Sequence, residues 1–401
     1  MTHPTDMHLP VPSRALALLL LPVLPLACEG GGLDQGPEAD TSGRLVIIGG
    51  GLQSENTPVY QAILEGRSGE GPICVFPTAS AEPQESMESA VERIDAVGGP
   101  ASAEGIFLSR DNPEDAALPE IADRIRSCSG FYFSGGSQSR IVDVFRPATG
   151  DSPAFQALLE RFEAGAVVSG SSAGAAIMSD PMIGGGSSEG ALAEGIRGRG
   201  EEGEGVILQK GLGLLGDPLV DQHFLARGRW ARLLIAVLET EAYTYGAGID
   251  ENTALVVEGD SARVVGASGV VLFDTRASAA SEEGRGFSGI VVYLLGSGDV
   301  VDLQSGSVRF HSQKASLLES EDPPDLSALD LFERWNLLRF LAGAAVSPER
   351  EFTFSQSGYD FRFQKREGFR AVEGEGEGVQ GLPSGLALGP LVLSFTRVEG
   401  D

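Results

Sequence analysis

The chain has few of the residues that metal sites and nucleic-acid surfaces need. Its 401 residues include 3 cysteines and 4 histidines, and 29 lysines and arginines stand against 57 aspartates and glutamates, for a formal net charge of −28. Nucleic-acid binding depends on neutralising phosphates with lysine and arginine, so this charge argues against a nucleic-acid partner. The sequence has no H-E-x-x-H motif and no clustered Cys/His spacing, so we expect no metal ion and no other cofactor.

Long hydrophobic runs are also scarce, and the one that stands out is N-terminal. Residues 15–27 form an apolar segment after Arg14, which has the length of a signal peptide and is too short for a membrane span. Cys28 directly after Ala27 resembles the site at which bacterial lipoproteins are cleaved and lipidated, although Pro25 departs from that pattern. The sequence therefore predicts an exported chain, either a lipoprotein anchored to the cell envelope through Cys28 or a secreted protein.

Composition predicts four segments. They are a signal peptide at residues 1–28, a flexible glycine-rich tether at 29–43, an α/β domain at 44–285 and a C-terminal extension of unassigned function, mostly strands, at 286–401. The folded part retains only Cys74 and Cys128. They are either small buried apolar residues or, in an exported protein, one disulfide.

Strand and helix signals alternate through the α/β domain. Short apolar runs at 45–48, 73–77, 105–108 and 130–133 are separated by helical patterns. This order predicts a parallel sheet with helices on both faces, and ligands in such sheets collect at the carboxyl ends of the strands. The stretch 184–206, rich in glycine and glutamate, predicts a long irregular loop or flap.

The most informative motif is Gly170-Ser171-Ser172-Ala173-Gly174, which follows a short buried strand. Its G-x-S-x-G spacing is typical of a nucleophile elbow, in which small residues allow a sharp turn that exposes the central hydroxyl. The same spacing also occurs by chance in glycine-rich and serine-rich loops that carry no chemistry. The motif makes Ser172, not Ser171, the candidate nucleophile.

His223 is the histidine best placed to act as a base for Ser172. His3 and His8 precede the apolar leader, and His311 lies in an alternating pattern typical of a surface strand. Polar and cationic residues surround His223 in the sequence, which favours a functional site. A purely structural histidine is the alternative.

Four motifs in order resemble the cyanophycinase branch of the dipeptidase E-like serine peptidases. They are Phe133-Ser134-Gly135-Gly136-Ser137-Gln138, Gly170 to Ala175, Asp221-Gln222-His223-Phe224 with Arg227, Arg229 and Arg232, and Gly248 to Ala254. The resemblance covers residues 44–275 and implies an α/β parallel-sheet sandwich of the class I glutamine amidotransferase type, followed here by a β-rich extension. The family hydrolyses cyanophycin, a polyaspartate whose side chains carry arginine in isopeptide linkage, and releases β-Asp-Arg dipeptides.

The resemblance also implies roles for individual residues. Ser172 becomes the nucleophile, His223 the general base, and an acid within residues 182–189, for which we choose Glu189, the group that orients the imidazole. The backbone N–H groups of Ala173 and Gly136 become the oxyanion hole. The substrate cleft is implied to contain Gln138, Asp221, Gln222, Arg227, Arg229 and Arg232, with arginines binding carboxylates and the acid and amides receiving guanidinium groups.

The expectation is therefore an exported serine exopeptidase that cleaves β-aspartyl (Asp-Arg) peptide bonds in cyanophycin or its fragments through an acyl-enzyme at Ser172. The expected partner is an aspartyl-arginine polymer or peptide, and the expected membrane contact is limited to the lipid anchor. The sequence does not decide whether the chain forms a homodimer. One alternative is an α/β-hydrolase esterase, which shares the elbow but places its acid and histidine much later in the chain. Another is a non-catalytic lipoprotein that binds peptides on a peptidase fold.

Overall fold

The structure, a computed structural model, describes residues 43–281, 286–376 and 378–398. The predicted signal peptide, the tether up to residue 42 and the lipidation site Cys28 lie outside the described residues. Among the described residues, every helix is too short or too polar to span a lipid bilayer.

Nine α-helices lie within the described residues, and four of them begin at or next to a proline, which is pre-organised for the first helical turn. The helices are α1 (Thr57–Glu65), α2 (Pro83–Gly98), α3 (Pro119–Ser127), α4 (Gln138–Phe145), α5 (Pro153–Glu163), α6 (Ala173–Ala176), α7 (Ser188–Glu194), α8 (Trp230–Glu239) and α9 (Asn336–Val346).

Strands and helices are interspersed up to α8, and the residues after α8 form mainly strands, with α9 lying between β18 and β19. The strands are β1 (Leu45–Ile48), β2 (Ile73–Phe76), β3 (Ala103–Gly105), β4 (Gly130–Phe133), β5 (Val167–Ser171), β6 (Met182–Gly185), β7 (Ile196–Gly198), β8 (Val206–Gln209), β9 (Leu219–Gln222), β10 (Tyr245–Ile249), β11 (Thr253–Glu258), β12 (Ser261–Gly266), β13 (Gly269–Asp274), β14 (Ala279–Ala280), β15 (Gly286–Gly296), β16 (Val300–Asp302), β17 (Val308–Arg309), β18 (Ala315–Ser316), β19 (Glu351–Gln356), β20 (Tyr359–Glu373) and β21 (Ala387–Arg397).

The first sheet has the order β17-β16-β12-β11-β1-β5-β4-β2-β3. Its strands β1 to β5 are parallel, and the remaining pairs are antiparallel. Alternate residues of β1 enter different cores: Ile47 packs with residues of α3 to α5, and Ile48 packs with residues of α1 and α2. Helices therefore cover both faces, as predicted. The third strand ends at Gly105, just where the predicted 105–108 strand begins.

The second sheet has the order β18-β20-β21-β15-β13-β10-β9, with β14 and β19 paired at its side. It is antiparallel except for β9 and β10, and it packs on a core that includes α8, α9 and an aromatic group around Trp230, Phe340 and Phe363. Strands beyond residue 286 join both sheets. The β-rich C-terminal region thus shares cores with the residues before it.

The prediction of an irregular loop at 184–206 is wrong. β6, β8 and β7 form a three-stranded sheet there, and α7 begins where the Ser187 side chain accepts a hydrogen bond from the Gly190 N–H at 2.9 Å. Gly186 has a φ of +97°, and a Cβ on it would lie 2.6 Å from the Gly205 carbonyl oxygen. Glycine in this stretch allows close strand contact, so its abundance does not indicate missing structure.

Cys74 of β2 and Cys128, which follows α3, form a disulfide with a Cα–Cα distance of 5.8 Å. Both residues are also buried in the core between the sheet and helices α3 to α5. The two cysteines are therefore both buried in the core and joined by a disulfide, so the two interpretations left open by the sequence are both correct.

Candidate active site

The nucleophile elbow is present where β5 meets α6. Ser172 has φ +56° and ψ −105°, a conformation that L-residues rarely adopt and that occurs at functional turns. The flanking glycines are sterically required, because a Cβ on Gly170 would lie 2.3 Å from the Gly174 carbonyl oxygen and one on Gly174 would lie 2.5 Å from the Phe133 carbonyl oxygen. The turn therefore projects the Ser172 hydroxyl from the end of the strand.

Ser172 and His223 meet at the junction of the two large sheets. The Ser172 Oγ lies 2.8 Å from His223 Nε2, within hydrogen-bond distance. His223 directly follows β9, and its N–H donates to the carbonyl oxygen of Gly49 at 2.7 Å, in the turn after β1. Gly50 leaves room for the ring, because a Cβ there would lie 2.4 Å from the imidazole Cε1. The sequence predicted this pair, and the fold brings it together.

The third member of the constellation is Glu251, not Glu189. The Glu251 carboxylate lies 2.6 Å from His223 Nδ1, in the turn between β10 and β11. Glu189 is exposed on α7 and makes no hydrogen bond or ion pair with His223 in the described structure. The assignment of Glu189 is therefore wrong. Glu251 belongs to the Gly248–Ala254 motif and follows a strand end, a signal that could have identified it.

Burial lowers the pKa of His223 below its usual 6.5, and the nearby Arg227 and Arg229 lower it further, while the hydrogen bond to Glu251 opposes the shift. The imidazole is therefore neutral at neutral pH. With the Nδ1 proton donated to Glu251, Nε2 carries a lone pair toward the serine hydroxyl. This is the protonation state that a general base requires.

Asp250 is a buried acid that the sequence analysis missed. Its carboxylate accepts hydrogen bonds from the Ala226 N–H at 2.9 Å and the Ser268 hydroxyl at 2.6 Å. Burial is the main cause that raises its pKa to about 6. Asp250 thereby joins the turn after His223 to the segment that carries Glu251.

Two backbone N–H groups, those of Ala173 and Gly136, are the predicted oxyanion hole. A Cβ on Gly135 would lie 3.4 Å from the Ser172 Cβ, so the Gly135–Gly136 peptide runs beside the nucleophile. The hydrogen bonds found within the described residues include none donated by the N–H of Gly136 or of Ala173, the first residue of α6. Both groups are therefore free to stabilise developing negative charge. Their role stays a prediction.

Comparison with known proteins places the chain in a family. The sequence pattern of peptidase family S51 matches residues 45–265, more than half of the chain. The chain belongs to peptidase family S51. This S51 peptidase is accordingly a serine-type peptidase.

Individual relatives are similar over the same region. The cyanophycinase of Synechococcus elongatus is 32% identical over 246 residues, covering 59% of this chain and 71% of that protein. The cyanophycinase of Trichormus variabilis is 30% identical over 243 residues, covering 59% and 75%. Among solved structures, a peptidase from an acI-B1 Actinobacterium matches with a TM-score of 0.44 and 23% identity, covering 57% of this chain and 89% of that one.

Of the residues predicted to bind substrate, Gln222 lies beside the nucleophile of this S51 peptidase. Arg227 and Arg229 lie close enough to His223 to lower its pKa. The Gln222 side-chain oxygen lies 3.4 Å from the Ser172 Oγ, and Arg229 donates to the Gln222 carbonyl oxygen at 2.7 Å. Arg229 is half-buried, and burial lowers its pKa to about 10. Arg227 is exposed. The half-buried Gln138 amide donates to the carbonyl oxygens of residues 183 and 184.

Asp221 and Arg232 do not line an open cleft. Their side chains are 1% and 5% exposed and form a bidentate ion pair, with Arg232 Nε and Nη2 donating to the two Asp221 oxygens at 2.7 and 2.6 Å. Arg232 also donates to the Gly186 carbonyl oxygen. The expectation that both contact substrate is therefore corrected, because each neutralises the other and their charge is already satisfied.

Within the described ranges, no group of three or more His, Cys, Asp and Glu side chains is arranged to hold a metal ion.

Proposed function

We propose that this S51 peptidase hydrolyses cyanophycin or its soluble fragments and releases β-Asp-Arg dipeptides. The arrangement of Ser172, His223 and Glu251 supports the proposal for the reaction, with contacts of 2.8 and 2.6 Å in the order nucleophile, base, acid. The relatives named cyanophycinase, at 30 to 32% identity, support it for the substrate.

The reaction proceeds through an acyl-enzyme. Ser172 Oγ adds to the carbonyl carbon of the scissile amide while His223 Nε2 takes the hydroxyl proton, and Glu251 stabilises the imidazolium. The oxyanion receives hydrogen bonds from the N–H groups of Ala173 and Gly136. The C–N bond breaks as the amine takes the proton from His223. Water, deprotonated by His223, then hydrolyses the ester and restores the serine.

The identity of the product determines which bond breaks. Release of an intact β-Asp-Arg dipeptide requires cleavage of the main-chain amide between successive aspartates, because the isopeptide bond lies within that product. Cleavage of the β-aspartyl isopeptide bond would release free arginine instead. We therefore place the main-chain amide at Ser172, in place of the β-aspartyl (Asp-Arg) bond expected from the sequence, with Arg227 and Arg229 available to bind substrate carboxylates.

Product analysis with a serine variant tests this function. The full chain is incubated with purified cyanophycin, and products are identified by mass spectrometry. We expect β-Asp-Arg from the wild type and none from Ser172→Ala, with an unchanged melting temperature. Ser171→Ala serves as the control at the neighbouring residue. A fluorophosphonate should label the Ser171→Ala variant and should not label the Ser172→Ala variant. Turnover by Ser172→Ala would refute the nucleophile, and free arginine as product would refute the scissile bond.

Two other outcomes would replace the proposal. Hydrolysis of short p-nitrophenyl esters without action on peptides would identify an esterase. Binding of β-Asp-Arg without turnover or fluorophosphonate labelling would identify a binding protein.

We propose further that the chain is exported. The apolar segment at residues 15–27 followed by Cys28 supports this, and so does the Cys74–Cys128 disulfide, because disulfides persist in oxidising compartments. Expression of the full chain in a bacterium fed labelled palmitate tests the anchor. Label on the wild type but not on Cys28→Ala supports lipidation, whereas unlabelled protein in the medium indicates secretion and protein retained in the cytoplasm refutes export.

A further inference from the structure

A cavity of about 380 Å³ adjoins the nucleophile elbow. Ser171 precedes Ser172 in the chain, and Gly135 lies beside Ser172 in space. Both line the inner part of the cavity, together with Tyr132 and Ser134. Helix α2 and the segment before it form another wall. The lining includes none of the residues that the sequence assigned to substrate binding. Ser172 therefore lies next to two different polar environments.

The side chains at the exposed part of this cavity carry both signs of charge. Glu82, Glu85 and Arg93 line it and are all exposed. Within the described residues none of the three forms a salt bridge, and Arg93 faces the hydroxyl of Tyr60. Two free carboxylates and one guanidinium match a ligand that has a cation and a carboxylate of its own.

The inner part of the cavity offers polar groups that stay neutral. Ser134 is 4% exposed, and its hydroxyl has no hydrogen-bond partner within the described structure. An unpaired buried hydroxyl is unfavourable, and a polar ligand group would satisfy it. Burial raises the pKa of Tyr132 to about 12, so its phenol, which shares a hydrogen bond with the Ser171 side chain, stays protonated.

We propose that this cavity is a second substrate subsite, which binds a residue with a cationic side chain and a free carboxylate on the far side of the scissile bond. Glu82 and Glu85 receive the cation, and Arg93 receives the carboxylate. An arginyl unit whose carboxylate is outside the peptide chain has this chemistry. The position relative to the scissile bond rests on the proposed function, whereas the recognition of the ligand does not.

Binding of free L-arginine tests the recognition without catalysis. Calorimetry compares the full chain carrying Ser172→Ala with the same chain carrying Glu82→Gln and Glu85→Gln. The matched control carries Glu88→Gln and Glu92→Gln, two exposed glutamates of α2 outside the cavity lining, and changes the net charge equally. We expect about fivefold to tenfold weaker binding in the cavity variant and less than about twofold change in the control. Equal weakening in both variants, or no measurable binding to the parent chain, overturns the proposal.

Agmatine, which is arginine without its carboxylate, tests the role of Arg93. The parent chain should bind L-arginine more tightly than agmatine, and Arg93→Gln should remove that difference. An unchanged preference in Arg93→Gln would overturn the assignment of the carboxylate.

Kinetics with the active chain separate this proposal from the proposed function. Glu82→Gln with Glu85→Gln should raise KM for an aspartyl-arginine oligomer while leaving the rate of fluorophosphonate labelling at Ser172 unchanged, and the α2 control should do neither. If the wild type cleaves no aspartyl-arginine peptide, the proposed function fails, and the L-arginine comparison still decides on the cavity.

Discussion

Ser172 and His223 both have a left-handed backbone, with φ values of +56° and +48°. Such a conformation costs a non-glycine residue about 1–3 kcal/mol, and it persists only when the surrounding structure fixes it. Here the N–H of Ser172 donates to the Ile48 carbonyl oxygen at 2.9 Å, and the N–H of His223 donates to that of Gly49 at 2.7 Å. The end of β1 therefore holds both residues in the orientation that joins their side chains.

At the level of single residues, Glu251→Gln should reduce kcat by roughly 10²–10⁴-fold, because a neutral amide stabilises the imidazolium less and does not enforce the same tautomer. Glu189→Gln should leave kcat unchanged, since that residue is exposed on α7. Steady-state hydrolysis of an aspartyl-arginine oligomer measures both. A larger loss in Glu189→Gln than in Glu251→Gln would contradict the structure.

The pH dependence of the nucleophile should report the environment of His223. Burial lowers the pKa of His223 below 6.5, and the base must be neutral, so the labelling rate of Ser172 should fall only as pH drops below 6.5. Arg227→Gln removes a cation that lowers this pKa, so the acid limb should move to higher pH. Fluorophosphonate labelling rates across pH measure the midpoint. Arg263→Gln, an exposed arginine of β12, is the control, and a shift to lower pH in Arg227→Gln would count against the assignment.

At the level of elements, the turn after β1 positions the site through glycine. The Gly49 and Gly50 carbonyl oxygens accept hydrogen bonds from the N–H groups of His223 and Asn252, both at 2.7 Å. A Cβ on Gly51 would lie 3.4 Å from the Glu251 carboxylate. This turn therefore contacts the base and its acid together, although it carries no catalytic side chain.

A comparison of Gly50→Ala with a matched glycine variant should separate the steric contact with His223 from the cost of backbone strain. Gly50 has a φ of +106°, and a Cβ there would lie 2.4 Å from the His223 ring, so we expect the imidazole to shift and activity to fall by about 100-fold. Gly69→Ala is the matched control, with a φ of +100° and nothing within 4 Å of its Cβ. Both variants should lose about 1–2 kcal/mol of folding free energy, measured by urea unfolding. Equal activity in the two variants would rule out a steric role for Gly50.

At the level of the whole molecule, the site depends on two sheets. In the first sheet, the glycine turn follows β1 and Ser172 follows β5. In the second sheet, His223 follows β9. Glu251 lies in the turn that passes from β10 of the second sheet to β11 of the first. Because β15, β20 and β21 extend the second sheet, the C-terminal region stabilises the sheet that carries the base.

Loss of the disulfide should lower stability without changing the site. Cys74 and Cys128 are 54 residues apart, and a crosslink of that span stabilises a fold by about 4 kcal/mol in the chain-entropy description. We expect the variant with Cys74→Ala and Cys128→Ala to unfold at lower urea, and to label at Ser172 at the wild-type rate under native conditions. An unchanged urea midpoint would show that the crosslink contributes no net stability.

The alternating α/β order and the elbow at Ser172 could be predicted from the sequence because they depend on rules that act over a few residues, such as the steric need for Gly170 and Gly174 beside a strained serine. The partner of Ser172 is His223, 51 residues further along the chain, and it was predicted from the scarcity of histidines and from the family resemblance. The sequence did not reveal the sheet within residues 184–206, because glycine there permits close strand contact as readily as a loop.

Long-range packing, in contrast, brings Glu251 to His223 and pairs Asp221 with Arg232. The chain between His223 and Glu251 contains α8 and β10, and it returns to the site because β10 pairs with β9 in parallel. Which carboxylate meets which cation therefore depends on strand order and register, and these follow from packing across the whole molecule rather than from local sequence.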